Sequence, residues 1–253
     1  MLNRVQHLHG CAVHASDGAI GRVRDAFFDD IRWTIRYLVV DTSKWMSGRD
    51  VLISPHAVAQ PLSMAKHIEV LLTRTQVIHS PEVDTREPVS RQTEVDVLAY
   101  YGHPSYWRAG SLWATGDYPS ASRTPKAVDG PVIEPAAGAP IAEGSLRSCA
   151  HVKGCAIHAG DGSIGRVDDF VFDDESWAIR YFVVDTRTWW PGGTKVLIAT
   201  HWIDRIDWDA RGVHVNLTLE QVRTSPVYDE DSPVHRDYEE RLHSAYDRTG
   251  YWD

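Results

Sequence analysis

The amino-acid sequence predicts a mainly β protein built from two similar small barrels, each followed by a C-terminal amphipathic helix. Three observations predict this fold class: the chain repeats itself, each repeat contains short runs of β-branched and aromatic residues, and each repeat ends in a segment with a four-residue apolar period. We expect a pseudo-two-fold axis to relate the two barrels, as in a homodimer whose subunits have been fused.

The internal repeat is the strongest signal. The segment that begins at Gly10 aligns without gaps on the segment that begins at Gly154, and most of the aligned positions are identical. After one inserted residue, the match continues to the Tyr-Trp pair that closes each copy. We therefore predict two barrel-and-helix repeats, residues 1–107 and 146–253, and a linker over residues 108–145 that is rich in Ala, Gly, Pro and Ser.

Each repeat opens with a predicted β-hairpin. Asp17-Gly18 in the first copy and Asp161-Gly162 in the second separate two apolar stretches, and Asp-Gly is favoured at the centre of a two-residue hairpin loop. The strand that follows, over residues 20–29 in the first copy, has irregular apolar spacing. That spacing predicts bulges in a strongly bent sheet.

Residues 35–40 and 179–184 predict a central strand with two largely apolar faces. One face can fill a barrel, and the other must be covered by the C-terminal segment or by the other copy. We therefore expect the two repeats to pair within the chain, with further homo-oligomerisation left open. The interaction residues predicted on these strands are Leu38, Val40, Phe182 and Val184.

The end of each repeat predicts an amphipathic helix. In the second copy, apolar side chains recur every four residues between charged ones, at Val234, Tyr238, Leu242 and Tyr246. Pro88 and Pro233 suit the first turn of these helices, because that turn needs no backbone N–H donor.

The motifs of both repeats resemble the PRC-barrel domain. They are, in order, Asp-Gly-x-Ile-Gly-x-Val, Phe-Asp-Asp, Trp-x-Ile-Arg-Tyr-x-Val-Val-Asp and Val-Leu-Ile. This domain is shared by the H subunit of bacterial photosynthetic reaction centres and by a ribosome-maturation factor. The resemblance implies two PRC-type β-barrels and a non-catalytic module that docks onto proteins and supports the assembly of larger complexes. The sequence shows neither the membrane-spanning helix of the first relative nor the separate N-terminal domain of the second, so we expect neither specific role.

Tryptophans in the loop before Val-Leu-Ile are the remaining predicted interaction residues. They are Trp45 in the first copy and Trp189 and Trp190 in the second. Aromatic side chains are enriched in interface cores, so these residues either pack within the chain or anchor an external protein partner.

No residue set predicts an enzyme. The sequence contains no G-x-S-x-G, H-E-x-x-H, C-x-x-C or phosphate-loop motif. A literal G-x-G-x-x-G over residues 160–165 precedes a predicted strand rather than a helix, so it indicates a hairpin. We expect no catalytic residues and no cofactor.

The alternative function is binding of a metal ion or small ligand by the histidine-rich N-terminal segment. His7, His9 and Cys11 alternate, so an extended chain would place them on one face, where zinc or copper could bind. The second copy has Lys153 in place of His9, which removes a ligand there.

The charge and the cysteine content limit the classes of partner and the cellular compartment that we expect. The net charge is −9, with the acidic excess in the second half, which makes nucleic acid an unlikely partner and an RNA-processing role the least favoured. We expect a protein partner whose identity the sequence leaves open. The lack of a long apolar run or signal peptide and the count of three cysteines predict no integral membrane segment and a cytoplasmic protein with free thiols.

Overall fold

A computed structural model describes residues 1–43, 49–59, 62, 67–85, 89–103, 105–107, 146–187 and 189–252. The strands are β1 Leu2–Arg4, β2 Ala12–Ala15, β3 Gly18–Asp29, β4 Thr34–Asp41, β5 Asp50–Ile53, β6 His67–Glu69, β7 Leu146–Ser148, β8 Ala156–Ala159, β9 Gly162–Asp173, β10 Ile179–Asp185, β11 Lys195–Ala199, β12 Ile203–Asp207 and β13 Gly212–Val215. The α-helices are α1 Arg74–Ile78, α2 Arg91–Tyr101, α3 Cys149–Val152, α4 Leu219–Thr224 and α5 Arg236–Ala245. The protein is therefore mainly β, and in these ranges no helix is long and apolar enough to span a membrane.

The chain forms two compact units, and neither is continuous in sequence. The first-repeat unit comprises His9–Arg147 and Glu175–Trp177. The second-repeat unit comprises Met1–Leu8, Ser148–Asp174 and Ala178–Asp253. Met1–Leu8, at the start of the first repeat, thus belong to the second-repeat unit, and Leu146 and Arg147, at the start of the second repeat, belong to the first-repeat unit.

The first-repeat unit contains a sheet with the strand order β5-β4-β3-β2-β6, and β7 adds to β3. The pairs β2–β3, β3–β4 and β4–β5 are antiparallel, whereas β2 and β6 are parallel. In the residues that the structure describes, no pairing closes this path, so it is an open sheet rather than a demonstrated barrel.

The second-repeat unit repeats this topology. Its strand order is β11-β10-β9-β8-β13-β12, with β8 and β13 parallel, and β1 adds to β9 with Leu2 opposite Asp173. Strand β12 was not predicted from the sequence, because Ile203 and Ile206 are the only apolar residues in its five positions. Again, the described strands do not close into a ring.

Both predicted hairpins form, but the loop lies one residue earlier than predicted. The two loop residues are Ser16 and Asp17, because β3 already begins at Gly18. The Asp17 carboxylate accepts a hydrogen bond from the backbone N–H of Arg74 (2.7 Å), and Asp161 accepts one from that of Leu219 (2.9 Å). The aspartate therefore connects the hairpin to the first residue of the short helix α1 or α4, rather than supplying a positive φ angle.

The bulges predicted for the long strand are confirmed. Strand β3 changes register against β4 between Val23 and Asp25, and β9 changes register against β10 in the matching place. Gly21 is required close to this bulge, because a Cβ atom there would lie 2.1 Å from the carbonyl oxygen of Asp41. Gly165 has the same constraint, at 2.2 Å from the carbonyl oxygen of Asp185.

The C-terminal helices α2 and α5 are confirmed, but the predicted proline position is wrong for Pro233. Helix α5 begins at Arg236 because His235 has extended backbone angles (φ −96°, ψ 160°). Proline restricts only its own φ and the residue before it, so it does not oblige the residues after it to be helical. Pro88 lies outside the described residues, and α2 begins after Ser90, whose hydroxyl accepts from the N–H of Thr93.

The outer face of the central strand is covered within its own unit. In the first-repeat unit, Tyr37 and Val39 of β4 pack in one cluster with Val97 and Leu98 of α2 and with Leu146 of β7. The C-terminal helix of the first repeat and strand β7, from the start of the second repeat, therefore both cover this face.

Candidate interaction surface

Four of the predicted interaction residues lie in the core. Leu38, Val40, Phe182 and Val184 are each 0% exposed. Both faces of β4 and β10 are buried, so these four side chains present no surface to an external partner. They belong to the core, and their role in pairing of the two repeats stays a prediction.

The predicted loop tryptophans have different environments. Trp189 is 42% exposed in the turn between β10 and β11, whereas Trp190 is half-buried. Trp45 lies outside the described residues. The loop therefore offers one exposed indole in the second-repeat unit.

The histidine-rich segment does not have the extended shape that the metal hypothesis requires. Residues Val5–His7 form a 3-10 helix, which removes the strand alternation of His7, His9 and Cys11. His7 belongs to the second-repeat unit, whereas His9 and Cys11 belong to the first-repeat unit. Within the described ranges, no group of three or more His, Cys, Asp or Glu side chains could hold a metal ion.

A buried carboxylate organises the end of the first repeat, and sequence reasoning did not identify it. Glu94 of α2 is 1% exposed and accepts hydrogen bonds from the Tyr106 hydroxyl (2.6 Å) and from Nη1 of Arg91 (2.8 Å). The Arg36 guanidinium lies 4.0 Å from the centre of the Tyr106 ring and pairs with Asp29 (3.2 Å). This arrangement fixes the closing Tyr-Trp segment onto α2 and β4.

The second repeat has the equivalent cluster. Glu239 accepts hydrogen bonds from the hydroxyls of Tyr181 and Tyr251 (2.8 Å each), and Nη1 of Arg236 lies 3.1 Å from its other oxygen. The Arg180 guanidinium lies 4.1 Å from the Tyr251 ring centre. A signal for this cluster was present in the sequence, because Glu, Arg and Tyr occupy matching positions in both copies.

Burial dominates the titration of the first cluster. Desolvation raises the pKa of Glu94 to about 7, although the Tyr106 hydroxyl and Arg91 act to lower it. Burial also raises the pKa of Tyr106 and lowers the pKa of Arg36. Glu94 and Glu239 are 1% and 3% exposed, so neither carboxylate is accessible to a substrate.

The first-repeat unit has an exposed surface that is almost without charge. We call it the α1–α2 face, and it consists of Leu71, Thr75, Gln76, Ile78, His79, Gln92, Val95, Asp96, Ala99 and Tyr100. Leu71, Ile78, Val95 and Tyr100 are exposed by 59%, 38%, 38% and 39%. Asp96 is the one acidic or basic residue in this set apart from His79.

Local structure explains how this face is assembled. Thr73 and Gln76 form a reciprocal capping box that starts α1 just after Leu71. The hydroxyl of Tyr100 near the end of α2 donates to the carbonyl oxygen of Gln76 (2.7 Å), which brings the C-terminal end of α2 next to α1. The apolar side chains of both helices are therefore presented on neighbouring elements.

The matching face of the second-repeat unit is charged. The residues that align with the α1–α2 face are Asn216, Glu220, Gln221, Arg223, Thr224, Asp237, Glu240, Arg241, Ser244 and Ala245. The four large apolar residues of the first repeat are thus replaced by Asn216, Arg223, Glu240 and Ala245. Because the fold at these positions is the same, the difference concerns the surface rather than the packing.

Two open depressions lie beside the segments that precede α2 and α5. One, of about 590 Å³, is lined in the first-repeat unit by Arg24, Arg49, Asp50 and residues 82–85. Its charges are internally paired, because Arg24 contacts Asp50 at 2.7 Å and the Thr85 hydroxyl donates to the same carboxylate. The other, of about 410 Å³, is lined by residues 227–229 and by parts of the segment 232–241.

Comparison with protein-family models and with curated protein sequences finds no match for this chain.

Proposed function

We propose that this protein is a non-enzymatic interaction and assembly scaffold built from two fused PRC-type barrels related by a pseudo-two-fold axis. The equivalent topologies of the two units support the duplication: Ala12 pairs with Arg22 as Ala156 pairs with Arg166, and each repeat has one parallel pair in the same place. The family and the closed barrels rest on the motif resemblance.

The α1–α2 face is the observation that carries the interaction role. Interface cores are depleted in charge and enriched in aromatic residues, and this face combines Tyr100 with three exposed aliphatic side chains and a single carboxylate. An apolar surface of this kind fits a protein partner with an equally uncharged surface. It does not fit RNA, which requires basic residues to neutralise phosphates.

The buried clusters support a non-catalytic role. Glu94 of α2 and Glu239 of α5 are buried, and the oxygens of both carboxylates contact tyrosine hydroxyls and arginines of their own unit. Their role is to hold the C-terminal segment on the sheet, so they supply stability rather than chemistry.

Capture of partners from the native host tests the proposal. A tagged chain should retain a protein, either another species or the untagged chain itself, and Ile78→Arg should abolish this retention because it places an unpaired charge in the apolar face. Arg223→Lys is the matched control, because it lies at the aligned position of the second repeat and preserves charge. Retention that is equal for the wild type and Ile78→Arg would contradict the proposal.

A further inference from the structure

The α1–α2 face supports an inference about the partner, and this inference rests on the proposed function. We propose that the face binds a second copy of this chain, and that the charges on the matching face of the second repeat limit assembly to a dimer. Three properties of the described residues carry this proposal: the small number of charges on the face, the duplication of the fold, and the hydrogen bond from Tyr100 that joins the end of α2 to α1.

Electrostatics selects this face for contact between two copies. Each chain has a net charge of −9, so two chains repel each other wherever acidic surfaces meet. The α1–α2 face contains Asp96 as its one carboxylate, and Nε2 of Gln92 donates to that carboxylate at 2.9 Å. In contact through this face, Asp96 is therefore the one carboxylate of the face that approaches the other chain.

A neutral apolar surface is also self-complementary. In a two-fold dimer the same patch occurs on both partners, so any unbalanced charge in the patch would face itself. A patch that recognises a different protein has no such restriction and usually carries charges matched to that protein. The presence of a single carboxylate among the ten residues of the α1–α2 face therefore favours a second copy over an unrelated partner.

Duplication explains why only one repeat has this surface. A chain with the same self-binding face on both repeats would have two binding sites, and such chains can join into open-ended assemblies instead of closed dimers. In the second repeat, Arg223 and Glu240 stand at the positions of Ile78 and Val95. These charges remove the second site, so association ends at two chains.

The mass of the purified full-length chain, measured by light scattering and sedimentation over a range of concentrations, tests the proposal. We expect the mass of two chains for the wild type. Ile78→Arg and Val95→Glu, made separately so that their charges cannot pair, should each weaken dimerisation at least about 100-fold, because each places like charges close to the two-fold contact. Both substitutions introduce the residue that the second repeat already carries on the same helix surface.

A converse variant separates loss of contact from loss of folding. Arg223→Ile combined with Glu240→Val gives the second repeat the residues of the α1–α2 face. This variant should form assemblies larger than a dimer that grow with concentration. Near-ultraviolet circular dichroism of every variant should match the wild type.

The outcomes distinguish this inference from the proposed function. A wild-type chain that stays monomeric at every concentration, or a dimer that persists in both single variants, would overturn self-association. If such a monomer still retains another protein from the host in a manner that Ile78→Arg abolishes, the scaffold proposal stands without the dimer. If nothing is retained, both fail.

Discussion

Single buried side chains set how the C-terminal segment of each repeat is held. Glu94 lies between the Tyr106 hydroxyl and Arg91, and Glu239 lies between two tyrosine hydroxyls and Arg236. A buried carboxylate is costly unless its oxygens are hydrogen-bonded, so the closing Tyr-Trp pair and α2 or α5 stabilise each other.

The titration of Glu94 predicts a pH dependence of stability. Its pKa rises from the ordinary value of 4.5 to about 7 in the folded protein, so the folded state holds the proton more tightly than the unfolded state does. The contribution of this tighter proton binding to the free energy of unfolding is fully present below about pH 4.5. It is lost as pH rises towards 7, and the free energy of unfolding falls by an amount on the order of 3 kcal/mol. Denaturant unfolding should show that Glu94→Gln loses less stability than the wild type between pH 5 and pH 8.

In this comparison, the difference between variant and wild type is the informative quantity, because the other titrating groups are common to both. The charged and titratable groups facing Glu94 are Asp29, Arg36, Tyr37, Arg91 and Tyr106, and all five remain in the variant. Parallel curves for the two proteins over this range would disprove the assignment.

The glycine at the β9 bulge predicts a second residue-level effect. Gly165→Ala should destabilise the protein by roughly 2 kcal/mol or more, because the new Cβ would lie 2.2 Å from the carbonyl oxygen of Asp185. Gly160→Ala is the control, since its Cβ would meet no atom closer than 3.8 Å. Thermal unfolding of both variants measures the difference, and equal melting temperatures would contradict it.

At the scale of secondary structure, strands β1 and β7 pair with partners that are far away in sequence, and we call them the exchanged strands. Strand β1 pairs with β9, more than 160 residues away, and Arg4 on β1 contacts Asp169 (2.8 Å) and Glu230 (2.6 Å). Strand β7 pairs with β3, and Arg147 on β7 contacts Asp30 (2.9 Å). Each sheet is therefore extended by a strand from the start of the other repeat.

Removal of the Arg4 side chain tests the contribution of β1. Its side chain is 11% exposed and that of Asp169 is 5% exposed, so Arg4→Ala leaves a buried carboxylate without its partner and should cost about 3 kcal/mol of unfolding free energy. Arg24→Ala removes a pair of similar distance whose arginine side chain is 57% exposed, and should cost less than about 1 kcal/mol. Denaturant titration compares the two, and equal losses would show that β1 is not anchored by this pair.

For the whole molecule, the discontinuous units connect the two repeats independently of the linker. Residues Met1–Leu8 belong to the second-repeat unit, while Glu175–Trp177 belong to the first-repeat unit, where the N–H of Ile35 donates to the carbonyl oxygen of Trp177 (2.9 Å). Each half of the chain thus supplies residues to the unit of the other half.

Cutting the chain within residues 108–145, at an inserted site for a specific protease, should leave the two fragments bound to each other. The strand exchange, not the covalent linker, supplies the connection. Size-exclusion chromatography of the cut protein should show a single species with both fragments. Separation under native conditions would contradict this expectation, and the cut Arg4→Ala variant should separate more readily.

Much of each repeat could be predicted because its signals are local. The hairpin turn, the bulged strand with Gly21, and the amphipathic α5 follow from spacing within a few residues. The candidate surface could not be predicted in the same way. The exposure of Ile78 and Tyr100 depends on which sides of α1 and α2 pack against the core. The burial of Leu38 and Val40 depends on tertiary packing in the same way.

The order of residues along the chain sufficed to establish the duplication, the mainly β class and the helix that ends each repeat, because hydrophobic period and turn chemistry act between near neighbours. Only the folded chain revealed that β1 adds to the second-repeat sheet, that β7 adds to the first-repeat sheet and that the α1–α2 face is exposed. Strand pairing over such separations is chosen by the total free energy of burial and hydrogen bonding, and no short pattern encodes that sum.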